Sequence, residues 1–297
     1  MAKLDTATVF AKPTFRRFLG VIALMWVTLG ALLAIATLSQ NAPTTTTEPL
    51  LTPIFYLIVF GGGSLWVLWQ YRRRQVNLPL LLGPWPERPD WLAWFGVWVM
   101  SFMFSLGAFQ LSFVALSYWA PDWVASTLAE SLFLGAEETA IPWLYNLLMV
   151  LLLVVAAPVL EEFLFRGFLL HRWGTRWNPP VAVLLTSILF GILHGNVIGL
   201  TLFGLVMALL YLRTNSLGVA IAIHALNNAI AASLEIISRL TGNAEPTSLE
   251  EFRSGVWFGA ILLAVSMPFL IKFIRRNWPT KDTPLPYWVN RDRTLAR

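Results

Sequence analysis

Two adjacent glutamates and an arginine stand inside one of the most apolar stretches of this chain. Glu161-Glu162-Phe163-Leu164-Phe165-Arg166 follows the hydrophobic run Trp143–Leu160 and precedes Gly167-Phe168-Leu169-Leu170. A lone charge at the centre of a bilayer costs roughly 2.5–3.5 kcal/mol on insertion scales, so a pair of them needs a reason. On a helix, residues four apart share a face, and Glu162 can pair with Arg166. Glu161 then lies about 100° further round and is free for other work. Two more apolar stretches carry polar groups. Phe190-Gly191-Ile192-Leu193-His194 ends on a histidine, and His224-Ala225-Leu226-Asn227-Asn228 places His224 and Asn228 on one helix face.

The chemistry open to such a set is narrow. The chain has no cysteine, which removes the thiol nucleophile and disulfides, and it has no Gly-x-Ser-x-Gly elbow. Ser187 lies seven residues before His194, but nothing pairs it with a base. A glutamate beside a histidine can activate water as a general base. A second histidine and an asparagine amide can donate hydrogen bonds to the oxyanion of a tetrahedral intermediate. Those are the parts of an amide hydrolase. The same groups, Glu161 with His194 and His224, also make a carboxylate and two imidazoles, a set that can hold zinc with one position open. Their spacing is not that of His-Glu-x-x-His, so no familiar ligand signature encodes a metal.

The elements that must position these residues are transmembrane helices. Of 297 residues 57% are hydrophobic and 12% charged, and the mean hydropathy is +0.65; a soluble chain carries about a quarter charged residues. Apolar runs predict an all-α polytopic bundle of eight spans, at about 18–39, 53–71, 91–120, 143–170, 180–195, 197–212, 217–237 and 256–273. Residues 121–142, acidic at Asp122, Glu130, Glu137 and Glu138, read as a loop with a short interfacial helix. The organisation is then an N-terminal part (1–142), a polar-centred core (143–237), and a last loop, span and basic tail (238–297). With the amino terminus inside, 19 of the 21 Lys and Arg fall on inner segments, all but Arg239 and Arg253. That bias puts both termini in the cytoplasm. The basic residues therefore orient a membrane protein and imply no nucleic-acid partner. Helix rise places Glu161 roughly 14 Å, His224 roughly 11 Å, Asn228 roughly 17 Å and His194 roughly 21 Å from the inner helix ends, near a common depth. His171 reads as an interfacial residue, Asn227 as packing or as a support beside Asn228, and Glu235 as facing water or headgroups. Gly61-Gly62-Gly63 reads as close helix packing or a kink, since no phosphate-loop Lys-Ser/Thr follows.

The order E-E-x-x-x-R, F-x-x-x-H and H-x-x-x-N, spread over residues 142–237, resembles the CPBP family of intramembrane endopeptidases (CAAX prenyl protease and bacteriocin-processing, or Abi, family). The resemblance implies Glu161 as the water-activating base assisted by His194, His224 and Asn228 as the oxyanion site, and Glu162 with Arg166 as the pair orienting the first core helix. It implies a membrane-associated, prenylated or hydrophobic protein or peptide as substrate. Members have been described as metalloproteases; the reading favoured here needs no cofactor, with zinc on Glu161, His194 and His224 as the competing arrangement. The expected location is a bacterial plasma membrane, or an internal one such as a thylakoid. Two other classes remain open from the residues: a silent bacteriocin-immunity or scaffold protein, and a transporter using the carboxylates as a proton relay, for which no repeat symmetry is seen.

Overall fold

The structure, a computed structural model, describes residues 9–11, 14–39, 51–131, 133, 141–241 and 248–296, without the side chains of 32–39. Lys3, Lys12, the threonine run before Glu48, and the acidic Glu137 and Glu138 lie outside the described residues. Among those described there are helices and no strands. In chain order they are α1 (Phe15–Ser39), α2 (Leu51–Arg73), α3 (Leu78–Leu82), α4 (Trp91–Ser117), α5 (Pro121–Ala129), α6 (Pro142–Arg176), α7 (Pro179–Ile192), α8 (Val197–Thr214), α9 (Leu217–Leu240), α10 (Leu249–Ser254), α11 (Val256–Asn277) and α12 (Pro286–Leu295).

Among the described residues six helical stretches are long and apolar enough to cross a membrane: α2, α4, α6, α8, α9 and the run Leu249–Asn277 formed by α10 and α11. The chain is an integral membrane protein. The expected fifth span is shorter than its apolar run suggested. Helix α7 has 14 residues, about 21 Å of rise against a hydrocarbon core of about 30 Å. It cannot cross alone. Asn178 starts it by accepting a hydrogen bond from the Val181 amide, with Pro179 and Pro180 in the first turn, where a missing N–H is harmless.

A hairpin then brings the chain back. Leu193–Gly195 turn, and Asn196 starts α8 by accepting from the Gly199 amide at 3.0 Å, while its own amide donates to the Ser105 carbonyl on α4 at 2.8 Å. The tight return requires a glycine. A Cβ at Gly191 would stand 2.5 Å from the Val197 carbonyl oxygen and 2.0 Å from Thr201 Oγ1. Helix α8 forms the centre of the molecule, with every residue from Val206 to Tyr211 wholly buried. Helices α7, α4 and α9 pack around it, and α11 lies against α4. Small residues allow the last contact, since a Cβ at Gly107 would meet the Gly259 carbonyl at 2.6 Å.

Two polar residues behave differently from their sequence reading. His171 is not interfacial but fully buried. Its Nδ1 donates to the Arg166 carbonyl at 2.9 Å, and its Nε2 receives the Tyr287 amide at 3.4 Å. The histidine thus ties α12 back to α6, where an apolar residue could not satisfy both groups. Glu235 accepts from the Ser131 hydroxyl and from the Phe133 amide, 3.2 Å away, and so holds the segment after α5 against α9. Gly62 and Gly63 pack against Met25 and Ile22 of α1.

Replacing Gly191 with alanine forces the α7–α8 hairpin apart against backbone rather than a flexible side chain. We expect Gly191→Ala to lower stability by about 1–3 kcal/mol, seen as earlier thermal unfolding of the purified protein in detergent. An unchanged melting curve would contradict the packing described.

Candidate active site

Helix α6 does not run as a regular helix through its polar centre. It widens into π turns at Leu152–Ala156 and again at Phe163–Leu170, on either side of Glu161 and Glu162. A π turn displaces backbone carbonyls from their usual partners, and such turns gather at functional sites. Here the displaced carbonyls are taken up by side chains of α9, α2 and α6 itself. Asn228 Nδ2 on α9 donates to the Leu153 carbonyl at 2.8 Å. The Tyr71 hydroxyl on α2 donates to the Gly167 carbonyl at 3.0 Å, and His171 serves that of Arg166.

Glu162 and Arg166 are wholly buried and 2.9 Å apart, one helical turn from each other. The same Glu162 oxygen also accepts from His224 Nδ1 at 2.9 Å. Arg166 donates its other terminal nitrogen to the Gly204 carbonyl of α8 at 2.7 Å, and its guanidinium lies over the Phe190 ring at 5.0 Å. One ion pair therefore joins α6, α7, α8 and α9. Each member is held from two or more sides, the condition under which a buried pair can persist away from water.

Glu161 points the other way. Its Oε1 accepts from the Tyr56 hydroxyl of α2 at 2.5 Å. Its Oε2 is buried and hydrogen-bonded to no protein group. Two imidazoles face that oxygen: His194 Nε2 and His224 Nε2, each 3.9 Å away. The separation is too long for a direct hydrogen bond and leaves room for a bridging atom. A water about 2.8 Å from each group would see neighbouring partners at an angle of about 90°. The tautomers follow from the far side of each ring. His194 Nδ1 lies 2.6 Å from the Phe190 carbonyl, and His224 Nδ1 lies against Glu162. Carbonyl and carboxylate only accept, so both Nδ1 atoms carry hydrogen, and both Nε2 atoms are turned to the shared space.

That space is a cavity of about 420 Å³. Glu161, His194, His224, Asn227 and Asn228 provide most of its polar wall, Thr52 and Tyr56 of α2 add a hydroxyl each, and the remainder, with Phe60 on the α2 side, is apolar. The structure thus brings together all four residues singled out for chemistry, with Glu162 and Arg166 directly behind them. Ser187 does not line this cavity, and its hydroxyl donates to the Val183 carbonyl of its own helix. Asn227 also lines it and donates to Asn228 Oδ1 at 3.4 Å, as the second of its two sequence readings, a support for Asn228, would have it. Tyr56 went unnoticed in the sequence. A lone tyrosine within an apolar span is an ordinary membrane residue, and only the docking of α2 on α6 brings it to Glu161.

As a metal site the set fits poorly. Ligands about 2.1 Å from a tetrahedral zinc stand about 3.4 Å apart, closer than the 3.9 Å found between Glu161 and either imidazole. Among the described residues no group of three His, Cys, Asp or Glu side chains is arranged to hold a metal ion.

Comparison with known proteins finds likenesses over the helices that carry these residues. Residues 142–230, from the start of α6 into α9, match the family of type II CAAX prenyl endopeptidase Rce1-like proteins. Over 92 residues the chain is 30% identical to the Bacillus subtilis protein named "Putative membrane peptidase YdiL". That similarity covers 30% of this chain and 38% of the relative's length. No solved structure matches the chain.

The buried pair yields a direct test. Arg166→Met leaves the buried Glu162 with no partner but His224, and we expect it to cost about 3–5 kcal/mol. The double variant Glu162→Gln/Arg166→Met removes both charges and should recover part of that loss in a thermal-unfolding double-mutant cycle. Strict additivity of the two single changes would show that the two side chains are not coupled.

Proposed function

We propose, from the likeness of residues 142–230 to the type II CAAX prenyl endopeptidase Rce1-like family, that this chain is a CPBP-type endopeptidase hydrolysing a peptide bond within the membrane. The observation that carries the reading is the convergence of Glu161 Oε2 with two imidazole Nε2 atoms on one mostly apolar cavity. A water seated among them is activated by Glu161, which takes its proton as the oxygen attacks the scissile carbonyl. His194 Nε2 is the second group in reach of that water and orients it. The negative charge on the former carbonyl oxygen is met by a proton on His224 Nε2 and by the Asn228 N–H not bonded to Leu153. Collapse of the intermediate breaks the C–N bond, and Glu161 returns its proton to the leaving amine.

Proton bookkeeping supports this division of roles. Three acceptors around one water exceed its two hydrogens, so the set works with one additional proton. That proton is the one His224 needs in order to donate to the oxyanion. Its Nδ1–H bond to Glu162 keeps the ring aimed at the cavity meanwhile, much as a buried carboxylate orients the histidine of a hydrolytic triad. Tyr56 acts through Glu161: by occupying Oε1 it fixes the carboxylate rotamer and leaves Oε2 for the water. The apolar walls suit a hydrophobic or lipid-modified segment of a membrane-associated protein. The spacing supports a step through water, and no step is assigned to a metal.

Glu161→Gln keeps the shape of the side chain and removes the base, so turnover of a farnesylated peptide ending in a CAAX sequence, or of a substrate captured on that variant and identified by mass spectrometry, should fall by at least a hundredfold. Wild-type cleavage by the variant would end the assignment and favour a scaffold. Tyr56→Phe should lower kcat about tenfold, the worth of one hydrogen bond to a charged acceptor, with KM and thermal stability unchanged. A rise in KM alone would instead make Tyr56 part of the substrate wall. Activity retained after exhaustive treatment with a zinc chelator is expected; loss restored by zinc would replace the water set with a metal site.

A further inference from the structure

A second cavity, remote from the catalytic residues, combines lipid-like walls with a cationic rim. It lies between α4 and α11, near the start of α4 and the end of α11, and has a volume of about 510 Å³. Those two helices touch at Gly107 and Gly259; the cavity occupies the opposite end of their contact. Val97 and Met100 on α4 and Phe269, Leu270 and Phe273 on α11 form its apolar part. Gly96 lies in the same wall, and a Cβ there would meet nothing within 4 Å.

At the rim stand Arg213 from the last turn of α8, Lys272 and Arg276 one turn apart on α11, and a single acid, Asp90. Asp90 is occupied twice. One oxygen caps α4 by accepting from the Ala93 amide at 3.2 Å, and the other lies 4.0 Å from Arg213. Three cations against one committed carboxylate leave a positive mouth. Exposed Trp91 and Trp278 adjoin it in sequence, and tryptophans of this kind mark the depth of lipid headgroups. Apolar depth, cationic mouth and interfacial level coincide in one place.

We propose that this cavity binds an anionic glycerophospholipid, with the phosphate between Arg213, Lys272 and Arg276 and an acyl chain laid along the Gly96 wall. Basic pockets between transmembrane helices take lipid headgroups for this reason: charge attraction and the burial of hydrocarbon act on a single molecule. A volume of several hundred Å³ is of the size that small-molecule ligands occupy. The site does not depend on the proteolytic reading, because none of its residues lines the catalytic cavity.

The test uses the purified full chain in detergent, with phosphatidylglycerol and phosphatidylcholine of identical acyl chains as probes and native mass spectrometry as the readout. Phosphatidylglycerol should be retained at least tenfold more than phosphatidylcholine. Lys272→Gln/Arg276→Gln should reduce its retention by roughly ten- to thirty-fold. Gly96→Leu, whose added side chain enters open space, should reduce retention of both lipids while leaving the melting curve in place. Equal retention of the two lipids, or a double variant that holds phosphatidylglycerol as the wild type does, overturns the proposal. Undiminished binding by Gly96→Leu overturns the acyl position, and displacement of the lipid by millimolar inorganic phosphate would identify a free anion as the occupant instead.

Discussion

The contact on which the candidate site depends is the wholly buried pair of Glu162 and Arg166. Neither side chain reaches water, so the charges must be met inside the protein; the groups that meet them come from different helices, while Glu162 Oε2 and Arg166 Nε have no hydrogen-bond partner. His224 reaches Glu162 from α9, Gly204 receives Arg166 from α8, and Phe190 of α7 lies under the guanidinium. In lipid there is no hydrophobic drive for helices to associate, so polar contacts and close packing have an enlarged share in fixing their arrangement. A partner left unpaired here would cost several kcal/mol, and that penalty selects a single register of α9 against α6. The register that pairs His224 Nδ1 with Glu162 also turns Nε2 toward Glu161.

Two neighbouring carboxylates consequently have separate tasks because of their angle around one helix. Glu162 faces the packed interior and serves structure. Glu161, one residue earlier, faces the cavity with one oxygen fastened to Tyr56 and the other open. The π turns of α6 belong to the same arrangement. They release backbone carbonyls at Leu153, Arg166 and Gly167, and Asn228, His171 and Tyr71 bind them. Irregular backbone at membrane depth is tolerated where other protein groups re-satisfy it, and here those groups also fasten α9, α12 and α2 around the site.

Much of the site was legible as residue types in apolar surroundings. A charge or imidazole in lipid is expensive enough that Glu161, Glu162, Arg166, His194 and His224 stand out without any coordinates. The i,i+4 pairing of Glu162 and Arg166 follows from helical geometry alone. His171 shows where this reasoning stops: beside Arg172 at a helix end it looks interfacial, yet the return of the tail through α12 buries it completely. The extent of α7 was also misread, because hydropathy continues through Leu193 while the backbone has already turned to make the α7–α8 hairpin.

The amino-acid sequence by itself determined that this chain is a helical membrane protein with a polar centre, because the energetic cost of buried polarity depends on residue type and local span. It also determined which glutamate pairs with Arg166, since that contact lies within one helical turn. Only the tertiary structure decided that Tyr56, more than a hundred residues away, completes the setting of Glu161. Only it showed that His194 and His224 address the same carboxylate oxygen and that their open nitrogens are both Nε2. These are relations between separate helices, and no periodicity within a single segment encodes the angle or register at which two helices meet.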